Sequence, residues 1–215
     1  MTAALEWRVV PVTAFQQNCT VLRCTATGRG AVVDPGGDLD RILAAAEDLG
    51  VELEKILLTH AHIDHAGATA ELARRLELPI EGPHEGDRFW IEALPEQGAM
   101  FGVGASEVFE PDRWFEDEDR TTVGAAWLRV RHCPGHTPGH VIFFDEPDRL
   151  ALVGDCLFAG SIGRTDFPQG DHGTLIRSIK ERLLTLGDDV TFVSGHGPTS
   201  TLGHERLTNP FLQDS

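Results

Sequence analysis

Three histidines and an aspartate fall within six residues at His60-Ala61-His62-Ile63-Asp64-His65, just after the apolar run Ile56-Leu57-Leu58. On an extended segment His60 and His62 project to one side, where both imidazoles can meet one ion. Asp64 and His65 turn past it toward a second. Imidazole and carboxylate donors together suit Zn, Fe, Mn or Co, whereas Ca and Mg favour oxygen-dominated sets. Two ions need more ligands than this loop offers. His136 in a Pro-Gly-His turn, Asp155 after Gly154, and His196 between Gly195 and Gly197 are the later candidates. Glycine beside each lets the backbone bring a short side chain close to an ion. Any one of these residues alone reads as a structural hydrogen-bonder; as a set they point to metal.

Other polar residues have two readings. Asp34, in an Asp-Pro-Gly turn, either orients a ligand imidazole or simply turns the chain. His140 reads as a structural hydrogen-bonder, and Cys156, beside Asp155, as a small buried residue rather than a nucleophile. His84 and His204 are expected to be exposed, and His172, after Asp171, to belong to a helix cap.

The elements that must position these residues alternate between strand and helix. Short β-branched or apolar runs predict strands at 7–12, 18–24 and 30–33. Asp38 is expected to cap a helix with the apolar face Leu39, Ile42, Leu43, Ala46 and Leu49, stopped by Gly50. A buried strand at 55–59 leads into the histidine loop, and a helix follows at 66–76. A further helix is predicted at 85–94, then a long loop at 96–119. The second half gives strands at 122–130, 141–144, 150–153 and 190–194, and an amphipathic helix at 174–186. Each His/Asp candidate thus sits past the C-terminal end of a predicted strand, the edge where α/β proteins bind ligands. One domain over 1–215 is expected.

Composition narrows the partners. A formal net charge of -16 repels phosphate backbones, so nucleic acid is not expected. No apolar run is long enough for a membrane span, and the first residues lack a basic start followed by an apolar stretch. A cytoplasmic setting is the default. Cys19, Cys24, Cys133 and Cys156 form no C-x-x-C pair and read as free thiols.

The run Thr59–His65, with His136, Gly154-Asp155 and Gly195-His196-Gly197, resembles the metallo-β-lactamase superfamily over almost the whole chain. Four further stretches resemble its glyoxalase II-like branch, specifically the short single-domain bacterial members. They are His132-Cys133-Pro134-Gly135-His136-Thr137-Pro138-Gly139-His140, Gly154-Asp155-Cys156-Leu157-Phe158, Gly163-Arg164-Thr165-Asp166-Phe167-Pro168 and Asn209-Pro210-Phe211-Leu212.

The resemblance implies an α/β fold, a four-layer αββα sandwich with metals between the upper edges of two sheets. It implies that His60, His62 and His136 bind one metal, that Asp64, His65 and His196 bind the other, and that Asp155 bridges them. Two divalent ions are implied, with zinc as the first expectation and iron or manganese as alternatives. Ions about 3.5–4 Å apart share a water and lower its pKa to roughly 7. The implied reaction is hydrolysis of a thioester, S-lactoylglutathione or a related 2-hydroxyacyl thioester, with Asp64 also partnering the nucleophile's proton.

Arg164 is implied as an anchor for a glutathione carboxylate; a surface ion pair with Asp166 is its other reading. The helical C-terminal domain of full-length glyoxalase II, which adds glutathione contacts, is expected to be absent. An alternative of a different class is a persulfide dioxygenase with a single Fe(II), acting on glutathione persulfide; that family also carries the Gly-Arg-Thr-Asp-Phe stretch. A secreted β-lactamase is disfavoured by His65 and by the lack of a signal peptide.

Overall fold

The computed structural model describes residues 4–103 and 106–213. In the first half, strands β1 (Leu5–Val12), β2 (Gln17–Cys24) and β3 (Arg29–Val33) run antiparallel in sequence order. Helix α1 (Leu39–Leu49) then crosses over, so β4 (Glu52–Leu57) and the short β5 (Ile80–Glu81) add parallel to β3. A parallel pair needs such a crossover, because a tight turn only reverses direction.

The second half forms a sheet from β6 (Arg120–Val123), β7 (Ala126–His132), β8 (Val141–Asp145) and β9 (Leu150–Gly154). A two-stranded hairpin, β10 (Leu157–Phe158) with β11 (Ser161–Ile162), follows. Helix α6 (His172–Ser178) continues through wider and tighter turns to Leu186 and returns β12 (Thr191–Ser194) parallel to β9. β13 (Ser200–Thr201) closes that edge, giving the order β13-β12-β9-β8-β7-β6.

Side-chain alternation explains why the sheets stack. In β2, Cys19 and Val21 face outward to helices while Leu22 and Cys24 face the other sheet. In β8, Val141 and Phe143 point between the sheets, and Ile142 and Phe144 point to the α6 side. With both faces buried, these strands read as nearly unbroken apolar runs. The middle layer holds Leu57, Phe115, Leu128, Phe143 and Leu152. Sheets with helices on their outer faces are the four-layer αββα arrangement of the metallo-β-lactamase fold.

Several local expectations are corrected. Asp38 stands at the start of α1 but caps nothing with its side chain; it adopts φ 49° and accepts from the Thr13 amide at 2.8 Å. Gly50 does end α1, its amide donating to Ala46 and Glu47 carbonyls. The helix expected at 66–76 is two, α2 (Ile63–Ala66) and α3 (Thr69–Leu76), because the Ala68 amide donates to the Pro35 carbonyl at the break. The helix at 85–94 is a 3-10 turn (Glu85–Asp87) and then α4 (Arg88–Glu92).

The stretch read as a loop at 96–119 begins inside α5 (Leu94–Phe101), where Pro95 occupies the first turn. Residues 104 and 105 lie outside the described residues, and 106–119 carry no helix or strand beyond a bridge between Glu81 and Arg113. The strand at 122–130 is the β6–β7 hairpin, turned at Gly124 with φ 56°. A further helix, α7 (Leu202–Thr208), stands outside the elements expected from sequence, and its Glu205, with Asn209 just after the helix, holds the β10–β11 hairpin. Among the described residues no helix is long and apolar enough to cross a membrane.

Candidate metal centre

Five strands end at one rim, and each delivers a polar residue just beyond its last position. β3 leads to Asp34, β4 to the loop from His60 to His65, β7 to His136, β9 to Asp155 and β12 to His196. Three metal-sized groupings result among the described residues, His60/His62/His136, Asp64/His65/His196 and Asp34/His60/His65, each with donor atoms within 4.8 Å of one another. Asp155 lies between the first two. Its Oδ1 is 3.2 Å from His65 Nε2, and its Oδ2 is 3.6 Å from His136 Nε2 and 3.7 Å from His196 Nε2. His196 Nε2 is also 3.1 Å from Asp64 Oδ2. The sequence-predicted ligands are therefore brought together, with Asp155 within 3.7 Å of members of both of those groups.

Hydrogen bonds on the far side of each ring decide which nitrogen faces inward, and the tautomers are assigned from those partners. Thr59 Oγ1 donates to Asp34 Oδ2 at 2.6 Å and accepts from His60 Nδ1 at 3.1 Å, which leaves the His60 Nε2 lone pair free. His65 Nδ1 donates to Asp34 Oδ2 at 2.9 Å, and His136 Nδ1 donates to the Arg164 carbonyl at 2.7 Å. His62 turns its Nδ1 to within 2.9 Å of His136 Nε2. Asp34 also accepts from the Thr59 amide at 2.7 Å. It orients ligand candidates as well as turning the chain, and its grouping with His60 and His65 reflects this supporting role.

The fit to cations rests on atoms left without partners. His60 Nε2, His65 Nε2 and Asp155 Oδ1 are buried and make no hydrogen bond. Unpaired buried polar atoms are costly, and several converging on one spot call for a cation. Gly195 belongs to the same cradle: a Cβ there would overlap Asp155 Oδ1 and the His65 ring. At Gly36 a Cβ would overlap the Asp64 carbonyl, so the Asp-Pro-Gly turn packs directly beneath the histidine loop.

The electrostatics agree. Burial and the neighbouring His65 hold His60 well below the ordinary histidine range, and burial with His136 brings His62 down to about 3. Burial works to discharge His65, but the Asp155 and Asp64 carboxylates hold it well above that range. His196 is raised too, its burial outweighed by Asp64 and Asp155. A proton on these rings thus balances the acids, and a divalent ion would take over that role.

Two important residues escaped the sequence reading. Asp87 is buried and ties two ligand-bearing loops together. It accepts from the Ala61 amide at 3.0 Å, Thr137 Oγ1 at 2.8 Å and the Gly139 amide at 2.6 Å. Burial lifts its carboxyl to about 7 against these three donors. Gln97, in the stretch read as loop, accepts from the Ile63 amide at 3.1 Å. Neither carries a local signal, since each acts on residues far away in sequence.

The remaining expectations divide. His140 is buried and accepts from the Asp155 amide at 3.1 Å, a structural role. Cys156 is buried and its thiol is raised by burial, which fits packing rather than nucleophilic attack. The Asp171 carboxylate caps α6 by accepting from the Thr174 amide, with His172 next in line. His204 is exposed, but His84 is half-buried, stacked on His132 at 4.2 Å. The Arg164 guanidinium pairs with Asp166 through two 2.6 Å contacts, the surface ion-pair reading.

Residues 12–196 match the family model described as the metallo-beta-lactamase superfamily. The chain is 44% identical over 205 residues to the hydroxyacylglutathione hydrolase GloC of Haemophilus influenzae, covering 95% of this chain and 96% of that one. It is 33% identical to the solved structure of BLEG-1 B3 metallo-beta-lactamase, with a TM-score of 0.89 and coverage of 97% and 100%. TTHA1623, solved in a di-iron-bound form, is 36% identical with a TM-score of 0.86 and coverage of 95% and 100%.

Replacing Asp87 by Ala strands three buried donors and lowers stability by about 3 kcal/mol; urea unfolding measures this, and a loss below about 1 kcal/mol contradicts the strut. Metal uptake must also displace protons from His65 and His196. Both rings are held above the ordinary value of about 6.5, so apparent affinity rises with pH through and beyond that value. Calorimetric titration in two buffers of unlike ionisation enthalpy reads the displacement as net proton release, and heats independent of buffer contradict it.

Proposed function

The chain belongs to the metallo-β-lactamase superfamily and is a metallohydrolase, and from that premise we propose that it cleaves thioesters of the hydroxyacylglutathione type. The observation that carries the metal chemistry is the set of unpartnered buried atoms His60 Nε2, His65 Nε2 and Asp155 Oδ1 at the junction of two donor groups. The printed activity of the relative that is 44% identical supports the thioester. In this reading two divalent ions are held, one by His60, His62 and His136, the other by Asp64, His65 and His196, with Asp155 shared. Zinc is the first expectation, with iron and manganese as alternatives. Two such ions supply Lewis acidity and an acidified water.

The protein's own residues do the rest. Asp34 and Thr59 fix the tautomers of His65 and His60, so that their Nε2 lone pairs face the reaction centre. Asp64, hydrogen-bonded to His196, is placed to accept the proton that the attacking water loses. Burial raises the Asp64 carboxyl, but His65 together with the hydrogen bond and charge of His196 draws it below the ordinary carboxylate range, so it is ionised and able to accept. Overall, water adds to the acyl carbon, the C–S bond breaks, and a carboxylic acid and a thiol leave.

Arg164 is the substrate contact, holding a carboxylate once it exchanges Asp166 for it. Residues 1–215 act as one domain. The reduced cysteines fit a cytoplasmic setting, where a small glutathione-linked thioester is the partner. The assembled Asp64/His65/His196 group weighs against the single-iron persulfide reading, which needs two histidines and one aspartate and open positions.

Asp155→Ala is expected to lose bound metal and nearly all thioesterase activity, seen by elemental analysis beside a thioester assay; wild-type-like turnover rejects the shared-ligand role. Arg164→Ala is expected to raise KM for S-lactoylglutathione more than it lowers kcat. An unchanged KM counts against substrate contact.

A further inference from the structure

The stretch Asn209-Pro210-Phe211-Leu212 supplies no donor to the metal centre, yet Asn209 is fully buried. So is Glu205, one turn earlier on α7. Their polar atoms are directed at each other and at the β10–β11 hairpin. Glu205 Oε2 accepts from the Gly160 amide at 2.8 Å and from Asn209 Nδ2 at 2.9 Å, and its Oε1 accepts from Ser200 Oγ at 2.6 Å. Asn209 Nδ2 also reaches the Ser161 carbonyl at 3.0 Å and the Phe158 carbonyl at 3.4 Å. Leu212 packs in the core cluster that holds Leu175 of α6, which fixes the chain on the other side of Asn209.

The hairpin is part of the wall above the metal-binding rim. A cavity of about 710 Å³ opens there, and Phe158, Ser161 and Ile162 line it. The Phe158 ring stands 6.1 Å from that of His196. Strands of two residues cannot hold such a wall by their own pairing, since even longer isolated hairpins are marginal in water. The base of the hairpin is fixed at the metal centre. A Cβ at Gly163 would overlap the Asp155 carbonyl, and His136 Nδ1 donates to the Arg164 carbonyl at 2.7 Å. The tip, with Gly160 at φ 72°, is bonded to α7 instead. The wall therefore has two supports, one shared with the donors and one separate from them.

We propose that Glu205 and Asn209 are positioning residues for substrate: they hold Phe158 and Ser161 at the cavity and so govern how well a thioester is bound, without touching it. The proposal rests on the thioesterase reading for the identity of that ligand. Loss of either side chain frees the tip, while the base keeps His136 and Asp155 in place. Binding suffers and the chemical step does not.

Two measurements test it. With metal-loaded protein, Asn209→Ala and Glu205→Ala are each expected to raise KM for S-lactoylglutathione about fivefold, less than the worth of one buried aromatic side chain. Bound metal and kcat are expected to change by less than about twofold. Glu205→Gln restores KM to within about twofold of the unsubstituted protein, because its oxygen can accept from Gly160 and Asn209 while its amide donates to Ser200 Oγ. An unchanged KM in both alanine variants, a loss of kcat or metal in its place, or no rescue by Gln overturns the proposal. The second measurement uses the unsubstituted protein and needs no turnover. Amide hydrogen exchange at rising urea is expected to open the Gly160 amide together with α7 and before the amides of β9. A Gly160 amide that opens independently of α7 overturns the hold. Failure of the unsubstituted protein to hydrolyse S-lactoylglutathione rejects the thioesterase reading, and joint opening of Gly160 with α7 then still sustains the hold of α7 on the wall.

Discussion

Buried nitrogen and carboxylate donors crowded against one another are the constraint on which the rest depends. His60 Nε2, His65 Nε2 and Asp155 Oδ1 are shut away from water without a well-aligned hydrogen bond, the last two only 3.2 Å apart, and His62 and His136 turn nitrogens toward each other at 2.9 Å. Such an arrangement is unfavourable unless a cation takes the lone pairs or a proton is shared among the acids and rings. The raised His65 and His196 show the second solution, and the donor chemistry matches the first.

Holding donors in that unfavourable array requires rigidity around it. Asp34 and Asp87 supply it from opposite sides, each buried and each accepting three hydrogen bonds from the residues around the donors. The two carboxylates satisfy loop amides that would otherwise be orphaned, so the same bonds that hold the loops also set the ring orientations. Gly36 and Gly195 allow the close backbone approaches that this compact framework needs.

Above the rim the environment changes from polar to apolar within a few ångströms. Rings of Trp90 and Phe167 pack against His62, whose Nδ1 lies 2.9 Å from His136 Nε2. An apolar wall beside a charged centre lowers the local dielectric and strengthens every electrostatic interaction within it. The net charge of -16 is spread over the remaining surface, where exposed ion pairs such as Arg74 with Glu107 and Arg88 with Glu110 contribute little to stability.

The sequence by itself offered the candidate donors and their strand-end placement, and its resemblance to a known family implied the layered fold. The candidates and their placement follow from local facts: histidine spacing, glycine neighbours, and apolar runs long enough for strands but not for a membrane. It misplaced the boundaries of α2 and α3, the β6–β7 turn and the whole of α5, since those depend on contacts such as Ala68 to Pro35 that no local pattern announces. Only the tertiary structure decided which nitrogen of each imidazole faces inward, that Asp87 and Gln97 brace the histidine loop, and that Asp166 occupies Arg164. Each of these is settled by a partner tens of residues away or by competition between neighbours. A one-dimensional pattern records which groups are available, whereas burial and geometry choose among their partners.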